Sequence, residues 1–180
     1  ARGRVLRVFD VGVAPYDVVL TGGKAYVSNW GGRRPRPGEL TGPAGRGTVV
    51  KVDPVKHVAS EGSVTVIDLE SGKVKAEIVT GLHASALAVS PDGRHVVCAN
   101  AASDTLSVID TRTDAVVETI WAKPSPADLF GAQPNALAFD PSGRTLYVAN
   151  GTQNAVAVVA FDPSERSRAV IAAEKAALPP

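Results

Sequence analysis

Three stretches of this sequence repeat one another, and that repetition limits the fold more than any other feature. One unit runs from Ser85 to Arg94 (SALAVSPDGR), continues through His95 to Asn100 (HVVCAN) and Thr105 to Asp110 (TLSVID), and finishes with Ala115 to Ile120 (AVVETI). A second has Asn135 to Arg144 (NALAFDPSGR), Thr145 to Asn150 (TLYVAN) and Ala155 to Val159 (AVAVV). A looser copy has Asp17 to Gly23, Lys24 to Asn29 (KAYVSN), Ser63 to Asp68 (SVTVID) and Lys73 to Ile78 (KVKAEI). Asp68 and Asp110 are 42 residues apart. Asn29 to Asn100 is 71 residues and Asn100 to Asn150 is 50; removing an insertion of 29 from the first and 8 from the second restores 42 both times.

A period of ~40–45 residues with four short strands per unit is the signature of a β-propeller blade. The turns have a physical cause. In Pro91-Asp92-Gly93 and Pro141-Ser142-Gly143, Pro presets φ and Gly accepts a positive φ. Glu70-Ser71-Gly72 and Arg112-Thr113-Asp114 return the third strand into the fourth. Runs such as Leu87 to Val89 are apolar on both faces, as strands stacked between blades require. The fourth strand alternates Val74, Ala76 and Ile78 with Lys73, Lys75 and Glu77, so one side is wet. The expected fold is all-β: a propeller fragment of about three four-stranded antiparallel blades, not a closed ring alone. Residues 1–10, with Arg4 to Phe9 strand-like, are expected to be the outer strand of a preceding blade. Residues 11–79 form a blade with a long inserted loop at 30–62. Residues 80–120 form the next blade. Residues 121–180 form another, with an inserted loop at 121–132, a fourth strand at Arg168 to Ala172 or none, and a tail that reads as helical only at Ala169 to Ala177.

Closed propellers have about 4–8 blades, and three would leave two apolar blade faces bare. The expectation is therefore a piece of a larger polypeptide, with a ring closed by several copies as the less favoured reading. The chain has no Met and opens at Ala1 in strand-like sequence, which reads as a processed or truncated product. Nineteen basic and 18 acidic residues give a net charge of +1. That balance offers no global case for nucleic acid or anionic membrane. No apolar run approaches the roughly 18 residues that a membrane-crossing helix needs. The single cysteine, Cys98, excludes an internal disulfide and reads as a small buried hydrophobe.

The motifs Tyr147-Val148-Ala149-Asn150, Tyr26-Val27-Ser28-Asn29 and Ser107-Val108-Ile109-Asp110-Thr111 resemble the YVTN repeat. With the Pro-Asp/Ser-Gly-Arg turns they are similar to YncE-like seven-bladed propellers, over roughly residues 4 to 160. The Arg33-Arg34-Pro35-Arg36-Pro37 loop and Leu82-His83 resemble a bacterial subgroup whose propeller precedes a metal-dependent phosphoesterase domain of the alkaline-phosphatase type. The resemblance implies an exported protein, periplasmic or extracellular, with partners that are the remaining blades or a C-terminal catalytic domain. No phosphoesterase metal motif occurs in these residues.

In an up-and-down blade, the connection between strands two and three and the connection to the next blade lie at the same end. Both insertions therefore fall on one rim, where elaborated loops on a rigid scaffold carry function. Residues 31–58 hold Arg33, Arg34, Arg36, Arg46, Lys51 and Lys56 against Glu39 and Asp53, a local charge of +4. Arginine forks suit phosphate or carboxylate; docking of a partner domain, or a solvated loop pinned by prolines, are the other readings. Trp30 and Trp121 are candidates for a stacking platform. The ligand-binding candidates are Trp30, Arg33, Arg34, Arg36, Lys56, His83, Trp121 and Asn135. His57, His83 and His95 lack metal-ligand spacing, and His95 reads as a surface or edge residue. No metal, cofactor or catalytic residue is assigned. Asn29, Asn100 and Asn150 recur, which favours a structural role; Asp68 and Asp110 read as turn-bonding.

Three functions follow. The first is a non-catalytic scaffold or binding module that takes a domain, or a small anionic or phosphate-containing ligand, at the rim. The second is an exported hydrolase like the propeller lactonases, for which Asp17, His83 and Asp128 are the rim candidates. The third is nucleic-acid or anion binding through the basic loop and Trp30, whose signature is steep salt dependence.

Overall fold

The computed structural model describes residues 3–162 except 46, 124, 126, 128 and 130. Arg46, Asp128 and the expected elements after residue 162 lie outside the described residues. Among the described residues thirteen strands follow in order: β1 (Pro15–Thr21), β2 (Lys24–Asn29), β3 (Thr41–Pro43), β4 (Val49–Lys51), β5 (Gly62–Asp68), β6 (Lys73–Thr80), β7 (Ala84–Val89), β8 (His95–Asn100), β9 (Thr105–Asp110), β10 (Ala115–Trp121), β11 (Pro134–Phe139), β12 (Thr145–Asn150) and β13 (Ala155–Ala160). They form two four-stranded sheets, β1-β2-β5-β6 and β7-β8-β9-β10, a three-stranded sheet β11-β12-β13, and the hairpin β3-β4. Every pairing is antiparallel. We call the three sheets the first, second and third blades. The architecture is a propeller-like fragment whose sheets do not close on themselves.

Registers show that the blades are copies. Val19 faces Tyr26, which faces Val66; Ala88 faces Val97, which faces Val108; Ala138 faces Tyr147, which faces Val158. Gly93 and Gly143 take φ values of 71° and 72° at the tight turns, where a side chain with a Cβ would be strained. Asp68 Oδ1 accepts from the amide of Ser71, and Asp110 Oδ1 from those of Arg112 and Thr113.

The sheets stack through period-two faces. Tyr26, Val64, Val66 and Ile78 of the first blade pack on Ala84, Leu87, Val96, Cys98 and Ile109 of the second. The opposite face of the second blade, including Val97, Ala99, Leu106 and Val108, packs on Leu146, Val148, Ala157, Val159 and Phe161 of the third. Cys98 is fully buried, and desolvation pushes its thiol up to about 12.

The first interface carries a polar latch at its turn end. Tyr26 is fully buried, and its hydroxyl donates to Asp114 Oδ1 at 2.6 Å. Lys24 Nζ lies 2.7 Å from the same oxygen, and Lys75 Nζ 3.0 Å from Asp114 Oδ2. Asp114 itself sits at φ 53°, with a side chain only 5% exposed. Burial alone would raise its pKa, but the hydrogen bonds from Lys24, Tyr26 and Lys75 outweigh burial and hold the carboxyl below its ordinary range.

Residues 3–10 carry no strand pairing among the described residues, and the sheet of a preceding blade, which the expected outer strand would join, is not among them. Two local expectations change. The alternation of β6 breaks at a bulge: Val66 pairs with Ala76 but Ile67 with Val74, so Lys75 is the extra residue. Val74 thereby leaves the face of Ala76 and Ile78 and is half exposed. His95 is buried, at 7% exposure, with its ring edge-on to Phe161. The third blade covers what the sequence suggests is an edge.

Candidate functional site

The rim is organised by one repeated device. The residue before each innermost strand adopts a left-handed conformation: Ala14 at φ 53°, His83 at 57° and Gln133 at 50°. Each non-glycine residue there is strained by about 1–2 kcal/mol, and each turns its carbonyl to the end of the neighbouring strand. Ala14 O accepts from Trp30 N at 2.9 Å, His83 O from Ala101 N at 3.0 Å and Gln133 O from Gly151 N at 3.2 Å. Asn29, Asn100 and Asn150, one residue earlier, are buried and donate through Nδ2. Asn29 reaches Thr65 Oγ1 at 2.8 Å, Asn100 reaches Ser107 Oγ at 2.9 Å and Asn150 reaches Ala122 O at 2.6 Å. Gly12 and Gly81 leave room for the first two, since a Cβ there would lie 2.6 Å and 2.7 Å from the respective amide carbons. The Oδ1 atom of each asparagine has no protein partner.

Two positions in this device carry larger side chains and face one another. His83 of the second blade stacks on Trp30 of the first, with centroids 3.8 Å apart and planes 19° from parallel. The stack crosses the blade boundary and stays partly open, Trp30 being 37% exposed. Desolvation lowers the His83 pKa below its ordinary value, which favours the neutral imidazole. Trp121 does not share this platform: Lys123 Nζ lies 5.0 Å from its ring centroid, and Lys123 is buried.

The long insertion is a folded unit. The hairpin β3-β4 and the bridge between Val52 and Ala59 bring Val50, Val52 and Ala59 onto Val13. Two of its cations, Arg33 and Lys51, are paired within it. Arg33 forks onto Glu39, with Nη1–Oε2 at 2.9 Å and Nη2–Oε1 at 2.5 Å. Arg33 Nε lies 3.1 Å from Glu61 Oε1, an ion pair without hydrogen-bond geometry. Lys51 completes the group, 3.3 Å from Glu61 Oε2. The Arg33 hydrogen bond, followed by the Arg36 amide, brings the Glu39 carboxyl down to about 2. Arg34 pairs with Asp10 at 3.0 Å in solvent. Arg36 and Lys56 are exposed, and their backbone amides bond Glu39 and Asp53. Asn135 is also exposed, with Nδ2 2.6 Å from where a Cβ on Gly151 would stand.

The candidates thus separate. Trp30 and His83 meet; Arg33 faces inward to acids; Arg34, Arg36 and Lys56 face solvent; Trp121 ends β10 of the second blade and Asn135 lies in β11 of the third. Asp17 is engaged by backbone, its Oδ2 accepting from Leu87 N and its Oδ1 from Val18 N, both at 2.8 Å. Among the described residues no three His, Cys, Asp or Glu side chains converge as a metal site would require. Asp104 escapes the sequence reading. Buried at φ 53°, it accepts from Gly131 N at 2.7 Å and Gln133 N at 2.9 Å, anchoring the second insertion. Its signal is a position four residues after the recurring Asn, where the third blade has Asn154.

Solved structures share this architecture. Hydrazine synthase of Kuenenia stuttgartiensis is similar with a TM-score of 0.60 and 22% identity, over 93% of this chain and 38% of that one. A β-propeller domain of Myceliophteria thermophila gives 0.58 and 14%, over 91% and 39%. A Bacteroides fragilis protein described as a 6-phosphogluconolactonase gives 0.58 and 15%, over 91% and 38%. At these identities the likeness shows the fold alone, and this chain spans under two-fifths of each of those proteins. No curated protein matches it. The profile of the family described as lactonase, 7-bladed β-propeller, matches residues 50–174, and the chain belongs to that family.

Proposed function

We propose that these residues form a non-catalytic β-propeller module of a larger exported protein, which docks a neighbouring domain or a ligand at the rim carrying loops 30–62 and 121–132. The observation that carries this reading is the Trp30–His83 stack, a partly open aromatic surface held across two blades beside a folded insertion. The pairing of Arg33 and Lys51 with Glu39 and Glu61 supports a preformed docking surface over a flexible anion trap. The resemblance to YncE-like propellers makes a phosphoesterase domain the favoured partner and the periplasm or cell exterior the favoured location. Lysine cross-linking of the intact protein tests the reading. Links from Lys51 and Lys56 to a region outside these 180 residues are expected, and they should weaken in Trp30→Ala. Alternatively, inorganic phosphate titrated against indole fluorescence should show saturation that Trp30→Ala abolishes. Failure of both overturns the reading.

A second reading, lactone hydrolysis, is favoured by the family match. Its test is turnover of sugar lactones by the intact protein with added divalent metal. Turnover lost in His83→Ala would establish it over the first.

A further inference from the structure

The long insertion is more than a connection. In the second and third blades four residues, 101–104 and 151–154, join the second strand to the third, whereas the first blade uses residues 30–61. One turn of the insertion, residues 53–58, is held from several sides. Asp53 Oδ1 accepts from the amides of Val55 and Lys56 at 2.8 Å and 2.7 Å. Those bonds, from Lys56 first and then Val55, hold the Asp53 carboxyl below its ordinary range. Asp53 O accepts from His57 N, and Asp53 N donates to Val58 O, both at 2.9 Å. His57 closes the turn at φ 54°, a conformation that a non-glycine residue keeps only where its surroundings enforce it. This fixed turn presents apolar side chains outward. Val55 is 84% exposed and Val58 50%. Leu40, whose carbonyl accepts from Val52 N, is 49% exposed. Single exposed aliphatics are ordinary on a surface; three on one hydrogen-bonded frame make a patch. Its cations are unsatisfied: Arg36 and Lys56 are exposed and form no ion pair among the described residues.

We infer that the turn at residues 53–58, with Leu40 beside it, is a knob that enters an apolar pocket edged by carboxylates on a neighbouring folded domain. The inference rests on the docking reading above and names the contact and the chemistry of the partner. A turn that carries its side chains outward encloses no small molecule, so the occupant supplies the concave half. Charge complementarity fixes its sign: Arg36 and Lys56 match acidic groups around the pocket, and a basic surface is repelled. Rigidity makes Val55 the anchor, because a turn already held in shape loses little freedom on binding. A lipid surface fits less well. Interfacial contacts lean on aromatic side chains, and residues 36–58 contain no Trp, Tyr or Phe.

Hydroxyl-radical footprinting of the full-length protein, read by peptide mass spectrometry, tests this on the unaltered sequence. Val55, His57 and Val58 are expected to oxidise at least about fivefold more slowly than in the urea-unfolded protein, because attack then requires the contact to open. Oxidation within about twofold of the unfolded rate overturns the inference. Val55→Ser and Lys56→Glu should each restore oxidation of Leu40 and Val58, and should weaken cross-links from Lys51 to the partner by about tenfold. Both positions are exposed, so the urea midpoint should stay at the wild-type value. Cross-links that respond to Trp30→Ala and to neither of these variants leave the docking reading standing and overturn the knob. Protection that disappears on dilution, in step with a dimer seen by sedimentation, assigns the turn to a second copy and overturns the inference. So does protection gained only on adding phosphatidylglycerol vesicles, which assigns the turn to a lipid surface.

Discussion

The two contacts between neighbouring blades use equivalent positions and different chemistry. Between the first and second blades, Tyr26 fills the interface and its hydroxyl ends in a charged group with Asp114, Lys24 and Lys75. Between the second and third, Val97 takes the place of Tyr26 and His95 that of Lys24, and the contact is closed by Phe161, packed on His95 and Phe139. Sheet stacking therefore needs only apolar period-two faces. The polar latch adds selectivity: it accepts a blade that brings an acidic residue to one turn position. A buried ion group is weak evidence for stability in itself, but breaking one side of it is costly.

The largest effect is expected at the latched interface. Tyr26→Ala removes a fully buried ring together with its hydrogen bond, and should cost about 3–5 kcal/mol in urea unfolding. Leu146→Ala, in the apolar interface, should cost about 3 kcal/mol and should show no additional dependence on pH. Asp114→Asn leaves the lysines and Tyr26 with a weaker acceptor, and the expected loss is about 2 kcal/mol at neutral pH. Because the folded-state pKa of Asp114 is depressed, its contribution is present above the unfolded value of about 3.9. It is lost as the pH falls through the lower folded value. The gap between wild type and Asp114→Asn should therefore narrow on acidification below about pH 4; a gap that stays constant would show that the latch is not ionic. Trp30→Ala should cost the least, about 1 kcal/mol for the stacked pair, while removing the open aromatic surface at the rim. A loss as large as that at Tyr26 would make the Trp30–His83 stack a structural clasp instead of a docking surface.

Much of this was legible residue by residue. The period, the Pro-x-Gly-Arg turns and the apolar third strands each act within a few residues of sequence, so blades, turns and the buried Cys98 could be read directly. The recurrence of Asn29, Asn100 and Asn150 correctly pointed to a structural role, seen in their buried amides. The fourth-strand alternation misled because a bulge at Lys75 changes the face without changing the composition. His95 misled because its burial comes from Phe161, in another blade. Asp114 was readable only as a turn residue, since Tyr26 lies 88 positions away.

By itself the sequence determined the all-β repeat, the number of strands in each unit and the rim on which both insertions fall, because hydrophobic period and turn chemistry are local. Only the tertiary structure decided which charges are paired and which side chains meet. Arg33 turns inward to Glu39 and Glu61, Tyr26 reaches Asp114, and Trp30 meets His83. Those pairings depend on how blades stack in space, and no local spacing encodes the distance between one blade's side chains and the next blade's turn.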